Sequence, residues 1–189
     1  MRPLTIHKGT GARLIRDNID TDQIIPSREM KSVSKTGLSE GLFAGQRYSE
    51  RRVENPDFIL NRDKYREATI LLSGKNFGCG SSREHAVWAL KEYGFRVIIA
   101  ESFGEIFYNN CVRNGVLCVE MDPIIIDNLG DELTVNLMEQ TVNGVGFKIP
   151  KSDKHMLLNG LDPIALTLED ETEIFAYFER DKIDRPWVY

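Results

Sequence analysis

Residues 68–80 read Ala-Thr-Ile-Leu-Leu-Ser-Gly-Lys-Asn-Phe-Gly-Cys-Gly, and residues 81–86 continue as Ser-Ser-Arg-Glu-His-Ala. A short apolar run bounded by a glycine-rich turn is typical of a buried strand. The apolar residues at positions 86, 90 and 93, followed by Gly94, have the spacing and the stop signal of a helix. The stretch therefore predicts a strand, a turn and a helix, with Ser81 and Glu84 forming a capping box at the helix start.

The alternation of strands and helices continues toward the C-terminus. Strands are predicted for Arg96–Ala100 and Val116–Val119, with a short helix at Phe103–Cys111 between them. With the strand at 68–72 they form a βαβαβ unit, which favours a parallel sheet with right-handed crossovers. An added antiparallel layer is predicted from alternating segments at 132–137, 141–145 and 147–149. We therefore expect an α/β fold with a parallel core.

Length and composition indicate a single globular domain over residues 1–189, with 41% hydrophobic and 28% charged residues. The formal net charge of −5 argues against an electrostatic nucleic-acid interface. The sequence has no apolar run of about 18 residues and no secretory signal pattern. We therefore expect no membrane partner and, by default, a cytoplasmic location. The 3 cysteines, an odd number, are expected to be free thiols.

The segment from residue 27 to residue 64 departs from this regular alternation. Its periodicity fades, while charged residues and glycines become frequent. Stretches of this length without regular structure are uncommon in compact domains and are usually binding loops or disordered segments. Two interpretations stay open at this point: a lid over a binding site, and a disordered connection.

The glycine-rich turn has the properties of an anion site. At the start of a helix, unpaired backbone N–H groups and the positive end of the helix dipole point to one place. Gly78 and Gly80 allow a ligand to approach the backbone closely. Ser81, Ser82 and Arg83 suit a carboxylate, because a guanidinium binds it through two parallel hydrogen bonds. The lysine of a phosphate-binding loop and the third glycine of a dinucleotide-binding motif are both missing.

Other interpretations of the same residues remain. Ser81 can be an ordinary N-cap with Glu84 closing the capping box, and His85 is more often a packed histidine than a base. A nucleophilic Cys79 is a further hypothesis, because an electropositive turn can lower the pKa of a thiol. The cysteines are 32 and 7 residues apart and lack C-x-x-C spacing, so we expect no metal or iron–sulfur ligands in this chain.

Three motifs together resemble those of a known family. They are residues 18–26, Asn-Ile-Asp-Thr-Asp-Gln-Ile-Ile-Pro; residues 76–86, Asn-Phe-Gly-Cys-Gly-Ser-Ser-Arg-Glu-His-Ala; and residues 102–110, Ser-Phe-Gly-Glu-Ile-Phe-Tyr-Asn-Asn, followed by Asn114-Gly115. In this order and spacing, over nearly the whole length, the chain resembles the small subunits of 3-isopropylmalate dehydratases. Those are stand-alone versions of the swivelling domain of the aconitase family, so the resemblance implies a swivelling β/β/α domain.

The resemblance also implies a function. Such small subunits form a heterodimer with a large subunit that carries a [4Fe–4S] cluster, and this chain would itself bind none. The enzyme is a hydro-lyase of leucine biosynthesis that interconverts 2-isopropylmalate and 3-isopropylmalate through 2-isopropylmaleate. Two alternatives remain open. One is a related hydro-lyase for another hydroxy-diacid, of the methylated malate, citramalate or homoaconitate type, and the other is a non-catalytic carboxylate-binding module.

Roles for the site residues follow from the resemblance by motif position. Ser81 would remove the proton next to a substrate carboxylate, while Gly80, Ser82 and Arg83 would bind the dicarboxylate substrate. Asp22 would orient a histidine on the cluster-bearing side. A serine acts as a base only in a desolvated site that stabilises its alkoxide, which helix-end amides and a guanidinium can provide.

The resemblance places substrate recognition in the loop from Ser27 to about Tyr48. There, Arg28 or Lys31 would contact a carboxylate, and Met30 and Val33 would face an isopropyl group. Selectivity for one methylene is worth only about 1–3 kcal/mol, so a few loop residues can change the substrate. The preferred hydroxy-diacid therefore stays open at this point.

Overall fold

The structure is a computed structural model that describes residues 1–30, 34–49 and 51–189. Within these ranges the strands are β1 (Ile6–Leu14), β2 (Ile70–Ser73), β3 (Val97–Ala100), β4 (Leu117–Glu120), β5 (Glu132–Asn136), β6 (Thr141–Val142) and β7 (Val145–Gly146). They form one sheet of 7 strands in the spatial order β4-β3-β2-β1-β5-β6-β7.

The α-helices of the described ranges connect and cover these strands. They are α1 (Thr21–Ile24), α2 (Ala44–Arg47), α3 (Glu84–Tyr93), α4 (Glu105–Asn114), α5 (Pro123–Asn128), α6 (Lys151–Asn159), α7 (Pro163–Thr167) and α8 (Glu171–Asp184). The order β2-α3-β3-α4-β4 is the βαβαβ unit that the sequence predicts. The predicted α/β fold class is confirmed.

The parallel half of the sheet is buried on both faces. β1 to β4 pair in parallel, and every residue of β2 and β3 is buried. Leu71 and Ile98 contribute to one core cluster with residues of α3 and α4. Ile70 and Val97 contribute to the opposite cluster, with residues of α5, α6 and β5. Because successive strand side chains alternate between faces, even short apolar strands supply both clusters.

β1 joins the two halves of the sheet, because it pairs in parallel with β2 and antiparallel with β5. The antiparallel half confirms the predicted strand at 132–137. The predicted antiparallel layer is confirmed, because β5 pairs with β6 and β6 with β7 in antiparallel fashion. The bounds predicted for its last two strands, 141–145 and 147–149, are wrong: the chain turns at Asn143 and Gly144, β7 is Val145–Gly146, and residues 147–149 are not a strand. These two residues have φ values of 47° and 85°, the conformation that an Asn-Gly hairpin turn requires.

The described part of the 27–64 segment is packed onto the body of the protein. Leu38, Leu42, Phe43 and Leu60 are at most 2% exposed and belong to the core cluster that contains α3. Regular structure here consists of α2 and single 3-10 turns at 27–29, 39–41, 59–61 and 63–65. Such turns bring single large side chains into the core without apolar periodicity.

The C-terminal residues form α8 and a final turn. Trp187 and Tyr189 are 78% and 60% exposed, although the Tyr189 hydroxyl donates to the Asp181 carboxylate at 3.0 Å. These aromatic side chains therefore do not pack on the sheet. Among the described helices, none is long and apolar enough to cross a bilayer.

Candidate active site

Three stretches that are far apart in sequence meet before the start of α3. The Gly78 N–H donates to the Ile19 carbonyl oxygen at 2.7 Å, which joins the turn to the 18–26 motif. The Phe77 N–H donates to the Ser102 carbonyl oxygen at 3.0 Å, which joins it to the third motif. The three motifs therefore form one surface beyond the carboxyl end of β2, where open parallel sheets commonly bind ligands.

Glycines make this close approach possible. Gly78 has a φ of 74°, and a Cβ there would come within 2.1 Å of the Phe107 ring. A Cβ on Gly104 would lie 2.8 Å from the Gly78 carbonyl oxygen. Gly80 has a φ of 90°, but a Cβ there would meet Asp20 at an ordinary 3.5 Å. Gly78 is required because a side chain would collide with Phe107 and because φ is positive there. Gly80 is required only because its φ is positive.

The predicted capping box is wrong. α3 begins at Glu84, and its N-cap is Arg83, so Ser81 lies ahead of the helix on the exposed surface. The Glu84 carboxylate instead accepts hydrogen bonds from Trp88 Nε1 at 3.2 Å and Asn114 Nδ2 at 2.8 Å. Tertiary contacts with α4 therefore replace the local contact that the sequence pattern predicts.

The backbone of Ser81 is held from α1. The Thr21 hydroxyl, on a residue that is 1% exposed, donates to the Ser81 carbonyl oxygen at 3.0 Å. This contact joins residues 60 positions apart, and no local sequence signal indicates it. Ser81 and Ser82 are both exposed on this fixed backbone.

Arg83 and Asp22, predicted from separate motifs, form an ion pair. Their side chains are 22% and 54% exposed, and Asp22 also accepts a hydrogen bond from the Ser27 hydroxyl at 3.2 Å. Hydrogen bonding to Arg83 holds the pKa of the Asp22 carboxyl below its ordinary value. The Arg83 guanidinium thus already binds a carboxylate at the rim of the site, which is the interaction a carboxylate substrate requires.

A cavity of about 500 Å³ lies beside this ion pair. Its lining residues are Asp20, Asp22, Gln23, Pro26, Ser27, Arg28, Gly45 and Gln46. The Arg28 side chain is 68% exposed, with its Nε 3.5 Å from Glu29. Met30 packs partly against the core, and Lys31 and Val33 lie outside the described residues. Of the predicted recognition residues, the structure therefore brings Arg28 to the site.

The surroundings of the cysteines argue against the chemistry considered for them. Burial, together with the Asp20 carboxylate, raises the pKa of the Cys79 thiol, whereas a nucleophilic thiol needs a lowered pKa. Cys111 and Cys118 are buried, and burial raises the pKa of Cys111. Within the described ranges, no group of three or more His, Cys, Asp or Glu side chains is placed to hold a metal ion. These residues therefore offer no ligand set for an iron–sulfur cluster.

Comparison with known proteins first defines the class. The family model of the aconitase C-terminal domain matches residues 1–123. The chain is similar in fold to the crystal structure of 3-isopropylmalate dehydratase (leuD) from Methanocaldococcus jannaschii, with a TM-score of 0.68 and 27% identity. That alignment covers 91% of this chain and 98% of the other. The part of the chain from β1 to β4, with the turn before α3, thus belongs to the aconitase C-terminal domain family.

Two relatives identify the family within this class. The 3-isopropylmalate dehydratase small subunit of Cupriavidus necator is 51% identical over 205 residues, which covers 100% of this chain and 99% of the relative. That of Marinobacter nauticus is 46% identical over 211 residues, with coverage of 100% and 98%. The chain belongs to the family of 3-isopropylmalate dehydratase small subunits, and the resemblance inferred from the three motifs is confirmed.

Proposed function

We propose that this chain is the small subunit of a 3-isopropylmalate dehydratase and works as half of a heterodimer with a large subunit. The heterodimer would interconvert 2-isopropylmalate and 3-isopropylmalate through 2-isopropylmaleate, in leucine biosynthesis. Identity of 51% over the whole chain to a small subunit of that name supports the proposal. The cytoplasmic location expected from the sequence stays a prediction.

An open surface that carries two serine hydroxyls and a guanidinium is the observation that carries the proposal. Ser81 and Ser82 are exposed, and Arg83 lies at the same rim in its ion pair with Asp22. A serine oxygen acts as a base only where water is excluded and its alkoxide is stabilised. An open rim does not exclude water by itself, so we infer that a second protein covers it.

In the proposed reaction, residues of this chain bind the substrate carboxylate and transfer the proton. A substrate carboxylate replaces Asp22 on the Arg83 guanidinium, and the Ser82 hydroxyl and Gly80 N–H donate to it as well. The Ser81 alkoxide oxygen then takes the proton from the carbon next to the carboxylate. The electron pair of that C–H bond forms the double bond as the hydroxyl group leaves. In rehydration Ser81 returns the proton.

In this proposal, the group that assists departure of the substrate hydroxyl belongs to the large subunit and not to this chain. Because the described residues contain no ligand set for a cluster, we assign the [4Fe–4S] cluster of the aconitase family to the large subunit, where it would supply a Lewis acid. Asp22, once released from Arg83, would orient a histidine of the large subunit. The substrate would therefore bind between the two proteins.

The substrate assignment is tested by comparing hydroxy-diacids on the heterodimer reconstituted with an anaerobically prepared large subunit. Formation of the unsaturated acid is followed by ultraviolet absorbance. We expect kcat/KM for 2-isopropylmalate to exceed that for citramalate, which carries a methyl group instead of isopropyl, by about 10²-fold. A higher kcat/KM for citramalate or for a homoaconitate-type substrate would contradict the assignment and favour the related hydro-lyase.

A further inference from the structure

Glu92 lies in the last turn of α3, at the opposite end from the candidate site. Its Oε1 accepts a hydrogen bond from the Gly37 N–H at 2.6 Å, and its Oε2 accepts from the N–H groups of Leu38 at 2.5 Å and Ser39 at 2.8 Å. Burial alone would raise the pKa of Glu92, but these three backbone hydrogen bonds outweigh burial and lower it. Such charge-assisted bonds are strong, so Glu92 anchors the 27–64 segment to α3.

A second contact ties the same part of the segment to the same helix face. The Lys35 ammonium lies 4.9 Å from the centre of the Trp88 ring. Trp88 precedes Glu92 by four residues, so both side chains lie on one face of α3. The indole is itself held in place, because its Nε1 donates to Glu84 Oε1 at 3.2 Å. Residues 35–39 therefore run along this face, held at two points about one turn apart.

Arg47 holds the anchored residues from the other side. Its Nη1 donates to the Ser39 carbonyl oxygen at 3.2 Å. The guanidinium lies over the rings of Tyr48 and Tyr93, at 5.0 and 5.1 Å from their centres. Ser39 therefore donates its N–H to Glu92 and accepts from Arg47 at its carbonyl, which fixes the anchor from both sides.

The other end of this stretch is held at the candidate site. The Ser27 hydroxyl donates to the Asp22 carboxylate at 3.2 Å. The described residues 28–30 and 34–36 therefore lie between one anchor at Asp22 and another at Glu92. Arg28, which lines the site cavity, belongs to this stretch.

We propose that Glu92 is a positioning residue for substrate recognition, which holds residues 28–30 and 34–36 at a fixed place relative to Ser81 and Arg83. This role rests on the proposed function for its substrate. Three N–H donors require a group with two acceptor oxygens and no donor, which the carboxylate provides. Without the anchor, recognition of the alkyl group weakens, while proton transfer by Ser81 is unaffected.

The variant Glu92→Gln in the heterodimer tests this role. The amide keeps the size of the side chain but turns an N–H₂ group toward backbone N–H groups. We expect KM for 2-isopropylmalate to rise about tenfold, kcat to stay within about twofold, and the preference over citramalate to fall about tenfold. Glu92→Asp keeps the charge, so its KM and its substrate preference are expected to lie between those of the wild type and of Glu92→Gln. The matched control is Glu139→Gln, at an exposed glutamate between β5 and β6.

Hydrogen exchange on the same heterodimers measures the anchor directly. Amides of Gly37, Leu38 and Ser39 are expected to exchange about tenfold faster in Glu92→Gln than in the wild type. Faster exchange with unchanged KM and unchanged preference would overturn the positioning role, and so would unchanged exchange or a fall in kcat at constant KM. A wild-type heterodimer that does not turn over 2-isopropylmalate would instead refute the proposed function and this role with it. The wild-type rate therefore distinguishes the two failures.

Discussion

A heterodimer that carries Ser81→Ala is expected to turn over 2-isopropylmalate about 10³-fold more slowly than the wild type, while it still assembles and binds substrate. The loss falls on kcat, because alanine cannot accept the proton. KM stays near the wild-type value, because Arg83 and Ser82 still bind the carboxylate. Steady-state kinetics together with a binding measurement on the purified complex check both halves of this expectation.

Cys79→Ala is the matched control, two residues earlier in the same turn. The Cys79 thiol has a raised pKa, so its removal is expected to leave turnover intact. An active Ser81→Ala variant would contradict the proposed base and favour a non-catalytic carboxylate-binding module. Loss of activity in Cys79→Ala alone would favour the nucleophilic cysteine instead.

Gly78→Ala is expected to lower the free energy of unfolding by about 3 kcal/mol. A Cβ there would lie within 2.1 Å of the Phe107 ring, and the residue has a φ of 74°. Overpacking and backbone strain therefore act together. For a chain of this length the loss corresponds to a fall in Tm of roughly 10 °C, which calorimetry on the isolated chain measures. Turnover by the heterodimer should fall as well, because the turn carries Ser81.

Gly144→Ala separates the two causes. Gly144 has a similar φ of 85°, but nothing lies within 4 Å of a Cβ there. Gly144→Ala is expected to lower the free energy of unfolding by about 1 kcal/mol, because only backbone strain acts at this position. Equal losses at both glycines would show that contact with Phe107 contributes nothing.

Elements with strong local patterns were predictable from the sequence. Buried parallel strands are continuous apolar runs, and α3 has helical spacing with a glycine stop, so the βαβαβ core follows from local signals. The first half of β1 gives no such signal, because its residues are exposed or half-buried and a sheet partner rather than apolar periodicity makes them a strand. The missed turn at Asn143-Gly144 was readable, since that dipeptide is a hairpin signal.

The residues of the candidate site were predictable from the sequence, but the contacts between them were not. Its glycines, serines and arginine lie in one contiguous motif, which indicates an anion site at a helix start. The Asp22–Arg83 ion pair and the Thr21–Ser81 hydrogen bond each join residues about 60 positions apart, so they depend on how the strands bring the motifs together. The failed capping box has the same origin, because Glu84 finds partners on α3 and α4 instead of the Ser81 backbone.

A site shared between two proteins is tested most directly by titrating this chain into a fixed amount of cluster-loaded large subunit and measuring the rate of 2-isopropylmalate turnover. We predict no turnover by either protein alone, a linear rise as the chain is added, and saturation at one chain per large subunit. Full activity of either protein by itself, or a confirmed complex that stays inactive on 2-isopropylmalate, would contradict the shared dehydratase site.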